Sequence, residues 1–210
     1  HVWLDVILNE AMRGTATAQE AIEAVKQIRL RKKVTAVTYN KVLDICVKAA
    51  DNGDSTIWDG EWVLSHMQQD KVKPTHVTLS TFIKLAKLDG RSKAYNSAWR
   101  VFSAAPPELK NEHVFSAMMA TLSRAGQRYT AKSLMNEALA QGVEANKFLY
   151  NAAMGASHSP QEIFEIWDAM KAKGIEGDEI TIRYLRMAKR GQAPATLRQR
   201  TLNGEDILAT

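Results

Sequence analysis

The chain has 210 residues, 45% of them hydrophobic and 24% charged, with a mean hydropathy of −0.29. That is enough to bury a core in one domain or two small ones. Its 28 Lys and Arg against 23 Asp and Glu give a net charge of +5 and a pI near 9.3, a basic bias compatible with a polyanionic partner or an ordinary basic surface. The lone Cys46 excludes an internal disulfide framework, and no apolar stretch approaches the ~20 residues needed to cross a bilayer.

The chain begins at His1 rather than Met, which fits a processed or trimmed product. Val2 to Leu8, interrupted by Asp5, does not read as a signal peptide. Residues 1–35 predict a divergent helical hairpin with Gly14-Thr15-Ala16-Thr17 as its turn, and Ala21, Ile22, Val25 and Ile28 share one helix face. Arg29, Arg31, Lys32 and Lys33 follow as a basic run, read as a solvated turn or else as a phosphate or ribosomal-RNA contact. From there a short pattern recurs: Val37-Thr38-Tyr39-Asn40, Val77-Thr78-Leu79-Ser80, His113-Val114-Phe115-Ser116, Phe148-Leu149-Tyr150-Asn151 and Ile180-Thr181-Ile182-Arg183. Successive last residues lie 40, 36, 35 and 32 apart, and turns precede the later four.

Each interval closes with a second apolar helix. Trp62, Leu64 and Met67 form one such face after an expected break at Asp59-Gly60. Ala131, Leu134, Met135 and Ala138 form another, and Ile163, Phe164, Trp167 and Met170 a third. The length differences fall in turns, long at Asp51 to Ser55 and short at Ser157 to Pro160. After Arg183 the period fades, leaving a partial second helix and tail over Gly191 to Thr210. A hairpin of about 35 residues cannot bury its apolar face alone, so stacked hairpins forming an all-α solenoid are expected.

Thr38-Tyr39-Asn40 opening a helix, Gly174-Ile175 to Asp178 closing a unit, and Arg124-Ala125-Gly126 at an inter-helix turn resemble pentatricopeptide repeat (PPR) proteins. The likeness covers residues 36–190 well and 1–35 loosely, and no unit shows the Trp-x-x-Leu-Gly-x-x-Tyr helix of tetratricopeptide repeats. It implies a right-handed α-solenoid of about five to six repeats. The divisions expected are a divergent hairpin at 1–35, four repeats at 36–75, 76–111, 112–146 and 147–178, and a partial repeat with tail at 179–210.

The resemblance further implies that the first helices line a groove for single-stranded RNA, one base per repeat. Base-reading pairs would be Asn40/Thr75, Ser80/Asn111, Ser116/Asn146 and Asn151/Asp178, whose amides and hydroxyls can bond a Watson–Crick edge. Val37, Val77, His113, Phe148 and Ile180, three residues earlier on the same face, would sandwich the bases. By that likeness Asn/Asp favours U, Ser/Asn favours A and Asn/Thr is loosely pyrimidine, giving 5′-YAAU-3′. Lys48, Lys84, Lys87, Arg124 and Arg183 are the candidate phosphate contacts, and Arg183 at a reading position departs from the pattern. Against these roles stand local ones: the polar residues as helix caps, and the apolar ones as ordinary packing.

Trp58, Trp62, Trp99 and Trp167 belong to second helices and read as packing or partner-facing anchors. The five histidines are dispersed, Cys46 sits mid-helix beside Ile45 and Val47, and there is no phosphate-cradling Gly-rich loop or Gly-x-Ser-x-Gly. The Cys-x-x-Cys and His-x-Glu ligands of the family's deaminase-like extension are missing. A non-catalytic RNA-binding adaptor is expected, with no cofactor, metal, small-molecule substrate or membrane insertion. The resemblance places it in an organelle, the mitochondrion ahead of the plastid. The alternative is a structural subunit of a large organellar assembly such as a ribosome, contacting protein and structured RNA without a code.

Overall fold

The structure, a computed structural model, describes residues 6, 7, 10, 17–30 and 34–194. Arg31, Lys32 and Lys33 of the basic run, the Gly14-Thr15-Ala16 turn and the tail beyond residue 194 lie outside the described residues. Among those described there are ten α-helices, a 3-10 turn at Pro107–Leu109 and no strand. In chain order they are α1 (Ala18–Arg29), α2 (Ala36–Asp51), α3 (Ile57–Gln69), α4 (His76–Asp89) and α5 (Ser92–Ala104). The rest are α6 (Glu112–Arg124), α7 (Arg128–Ala140), α8 (Lys147–Gly155), α9 (Pro160–Ala172) and α10 (Glu179–Lys189). The chain divides into two compact units, His1–Lys110 and Asn111–Thr210.

In the first unit α2 packs against α1, α3 and α4, and α4 against α3 and α5. The first helices of neighbouring hairpins therefore lie side by side, with Tyr39, Leu43, Ile45, Phe82 and Leu85 buried between the layers. Cys46 is fully buried, and loss of solvation with the nearby Asp59 charge pushes its thiol up to about 12, so it is inert. In the second unit α8 packs against α6, α7, α9 and α10, around Tyr150, Met154, Ile163 and Met170. Burial of these side chains is the main favourable term in each unit.

Asp59-Gly60 is not a break. Both residues lie inside α3, where the Asp59 carboxylate accepts the Thr56 N–H at 2.9 Å and the Ser55 hydroxyl at 2.9 Å, fixing the helix start. Gly60 faces the core, and a Cβ there would stand 2.9 Å from Leu85 and 3.0 Å from the Phe82 ring. The buried face of α3 is thus Ile57, Gly60, Val63 and Met67, rotated from the expected Trp62, Leu64 and Met67, of which only Met67 is buried. Close approach of two helices at a glycine mimics a helix break in the sequence.

Polar ties sit at the hairpin ends. Arg29, the described member of the basic run, forms a two-pronged pair with Asp70, Nη2 to Oδ1 at 2.6 Å and Nε to Oδ2 at 3.0 Å. The buried Tyr39 donates its hydroxyl to the same carboxylate at 2.6 Å. This joins α1, α2 and the end of α3. Asp89 accepts the Ile57 N–H at 2.7 Å and pairs with Arg91, capping α3 from the end of α4. The Arg29 and Arg91 guanidiniums hold the Asp70 and Asp89 carboxyls below their ordinary values.

Three second helices end alike. Val72, Val143 and Ile175 donate back to Met67, Ala138 and Met170 at 2.8, 2.9 and 3.2 Å, after a left-handed residue. That residue is Gly142 or Gly174 in two cases but Lys71, at φ 56°, in the first.

Lys71→Gly is expected to stabilise the protein by about 0.5–1 kcal/mol, the cost of holding a side chain in this region, read by urea unfolding. An unchanged or lower stability would refute that strain. Because folding lowers the Asp70 carboxyl, its contribution is complete above about pH 4 and lost as pH falls through the folded value. Asp70→Asn should cost about 1–3 kcal/mol at pH 7 and flatten the acid limb of a Tm-against-pH curve. An acid limb as steep as wild type would count against the ion pair.

Candidate nucleic-acid interface

Each first helix exposes the side chain two positions into it. Val37, Val77, Phe148 and Ile180 are 60%, 42%, 44% and 45% exposed, and the His113 side chain is 50% exposed. An apolar residue serving to pack helix on helix would be buried, as Tyr39, Leu79, Phe115, Leu149 and Thr181 of the same segments are. In the second unit the His113 and Phe148 rings face each other at 5.4 Å and 55°, and the Lys147 ammonium lies 5.6 Å from the Phe148 ring centre. A base inserted between two rings needs about 7 Å, two van der Waals layers, more than the 5.4 Å between these two.

The polar pairs fall into two kinds. Asn40 Nδ2 donates to Thr75 Oγ1 at 3.3 Å, and Asn151 Nδ2 to Asp178 Oδ1 at 2.9 Å, joining each candidate pair across consecutive hairpins. In both cases a threonine of the next first helix completes the arrangement. Thr78 Oγ1 donates to Asn40 Oδ1 at 2.7 Å, and Thr181 Oγ1 to Asn151 Oδ1 at 2.7 Å. The serines behave otherwise. Ser80 Oγ donates to Val77 O and Ser116 Oγ to His113 O, each at 3.2 Å, turning the hydroxyl onto its own helix.

All four partner residues cap helices. Thr75 accepts Thr78 N–H at 3.3 Å and Asn111 accepts Val114 N–H at 3.2 Å. Asn146 Oδ1 accepts from Phe148 and Leu149 at 3.0 and 3.2 Å. Asp178 Oδ1 accepts from Ile180 and Thr181 at 3.0 and 3.1 Å. These four, expected to read bases, are thus all engaged as helix caps. At Asp178 every such bond goes to Oδ1, which leaves Oδ2 for a ligand. Burial raises the Asp178 carboxyl, but the Thr181 N–H and the Asn151 and Thr181 side chains outweigh it, keeping the group ionised.

The cations vary in availability. Lys84 and Arg124 are exposed, Arg124 as the last residue of α6, while Lys87 is half-buried. Lys48 pairs with Asp44 at 3.3 Å. The exposed Arg183 places its guanidinium 5.5 Å from the Tyr184 ring centre. Sequence reasoning missed Lys147, Thr78 and Thr181. The last two sit three residues after a cap, a spacing that signals a hydroxyl facing the helix start. Among the described residues no group of His, Cys, Asp or Glu is placed to hold a metal ion, and no helix is long and apolar enough to cross a membrane.

Asp178→Ala removes the α10 cap and the Asn151 acceptor together. It should lower unfolding stability by about 1–2 kcal/mol, with Asp178→Asn losing less because it still caps. Equal losses for both variants would place the cost in the charge instead.

No protein-family model matches the sequence, and no curated protein matches it. Solved structures do. The PPR domain of Arabidopsis thaliana protein-only RNase P 1, in complex with tRNA, matches with a TM-score of 0.62 and 15% identity, over 89% of this chain and 95% of that one. The pentatricopeptide repeat protein PPR10 in complex with an 18-nt psaJ RNA element matches at 0.65 and 18% identity, over 99% of this chain. PPR10 from maize matches at 0.65 and 21% identity, over 96%. This chain spans 30% and 29% of the two PPR10 chains. With first helices side by side in each unit and second helices behind them, the chain has the pentatricopeptide repeat fold.

Proposed function

We propose that the protein is a non-catalytic RNA-binding adaptor that holds single-stranded RNA along the N-terminal turns of its first helices. The observation that carries this is the exposed apolar or imidazole side chain at one register position of five helices, Val37, Val77, His113, Phe148 and Ile180. Bases supply what such a row lacks, flat faces that desolvate it, and stacking tolerates any sequence. Polar edges stand beside the row, and Lys84, Lys147, Arg124 and Arg183 supply charge for phosphates. The tRNA and psaJ RNA complexes of similar structures support the ligand class.

The Asn151 site has the clearest chemistry. Asn151 keeps an N–H beyond the one given to Asp178, and Asp178 Oδ2 accepts. A donor beside an acceptor complements the O4 and N3–H of uracil, in line with U at that repeat. A second reading, a structural subunit of an organellar ribosome or similar assembly, draws support from the two serines turned onto their own helices and from Arg183 at a reading position. The organellar setting in both readings comes from the family resemblance.

Fluorescence anisotropy on a short YAAU-containing strand, a scrambled strand and a folded RNA separates the two. The adaptor reading expects preference for the first, with affinity falling as salt rises. Phe148→Ala should weaken binding about tenfold through lost stacking while leaving Tm nearly unchanged, because the ring is exposed. Equal, feeble binding to all three RNAs, indifferent to Phe148, would favour the structural subunit.

A further inference from the structure

Within this one chain, the residue at the reading position and the third residue of the next first helix change together. Asn40 and Asn151 are followed by Thr78 and Thr181, whereas Ser80 and Ser116 are followed by Val114 and Leu149. The amide goes with a hydroxyl, and the hydroxyl goes with an apolar side chain.

The geometry explains the pairing. Thr78 and Thr181 are both fully buried, so each hydroxyl needs partners inside the protein. Each accepts the backbone N–H of the cap residue, Thr75 at 3.0 Å and Asp178 at 3.1 Å. Its own proton then goes to the nearer acceptor, the asparagine Oδ1 at 2.7 Å in both repeats, rather than to the cap side chain at 3.2 Å. The other end of the amide meets the cap side chain. At Asp178 that partner is an ionised carboxylate, which can only accept, so the Nδ2 end must face it. A flipped amide would set oxygen against oxygen at Asp178 and turn Nδ2 toward the Thr181 proton. Asn151 is only 6% exposed, so a base reaches one small edge of it, and the chemical sense of that edge is fixed from behind.

We propose that Thr181 is a positioning residue for base discrimination. With Asp178 it locks the orientation of the Asn151 amide without touching a base. This rests on the RNA-groove reading and adds to it the buried residue that makes the reading directional. Preorganising a polar group removes the cost of orienting it on binding and penalises ligands of the wrong polarity.

The test uses the full chain and four short single-stranded RNAs that differ only in the last base of YAAN. Wild type is expected to bind the U strand about tenfold more tightly than the A strand, the worth of one oriented hydrogen bond. Thr181→Val, which keeps shape and removes the hydroxyl, should bring that ratio to within about twofold, while Thr181→Ser keeps most of it. A purely structural role would weaken all four strands alike and leave the ratio unchanged. Thermal melts confirm folding. If Thr181→Val melts below the assay temperature, Thr181→Ala, which also lacks the hydroxyl, carries the same measurement at the same base. Retention of the wild-type ratio in the valine variant, or its complete loss in the serine variant, overturns the role of Thr181. Equal binding of all four strands by wild type overturns the groove reading and this inference with it.

Discussion

A helix begins with backbone N–H groups that its own carbonyls cannot satisfy, and the candidate site is organised by the way four first helices meet that need. Thr75, Asn111, Asn146 and Asp178 each turn a side-chain oxygen onto the first turn of α4, α6, α8 and α10. The cap sets where the helix starts, and the start sets which residue comes two positions later. That residue is Val77, His113, Phe148 or Ile180, held outward on the turn that the cap begins. At Thr75 and Asp178 the cap also grips the preceding hairpin through Asn40 and Asn151. Helix initiation, hairpin registry and the outward side-chain row are three consequences of one hydrogen-bonding demand.

Packing supplies the stability that this arrangement needs. The apolar faces of α2 and α4, and of α6 and α8, are buried against neighbours. Polar ties such as Tyr39 and Arg29 on Asp70 stand at hairpin ends, where they fix alignment and leave the core dry. Arg29 and Asp70 are only about a quarter exposed, so removing one partner costs more than it would at a surface pair, and these ties stabilise as well as align. Gly60 against Phe82 and Leu85 shows the same division: contact distance is set by apolar shape, and direction by the Asp59 and Asp89 hydrogen bonds nearby.

The repeat and its helical character were legible because both are written in periodic residue type. The second-position residues were legible as candidates but not as exposed. Valine and isoleucine at helical spacing are usually core, and only the fold separates Val37, which projects, from Tyr39, which is buried. Asp59-Gly60 has the look of a break for a physical reason as well, since a glycine required for close helix approach and a glycine that ends a helix are the same letter. Thr78 and Thr181 were hidden for a different reason. Their role depends on a partner 38 and 30 residues earlier, and no local pattern records a contact made across hairpins.

The two asparagine sites differ in how firmly the cap residue holds the amide. At Asn151 the cap is a carboxylate, which only accepts, and the Thr181 hydroxyl donates to the other end of the amide, so the two together hold one orientation. At Asn40 the cap is Thr75, whose hydroxyl both donates and accepts, and Thr78 beside it can do the same. Rotating those hydroxyls lets the Asn40 amide invert without stranding a polar atom, so its outer edge can present either a donor or an acceptor. If these amides meet bases as proposed, a loosely pyrimidine preference at the first repeat and a sharper one for U at the fourth would have one origin, the acceptor-only group behind Asn151. The strictness of the amide would then be set by a side chain behind it.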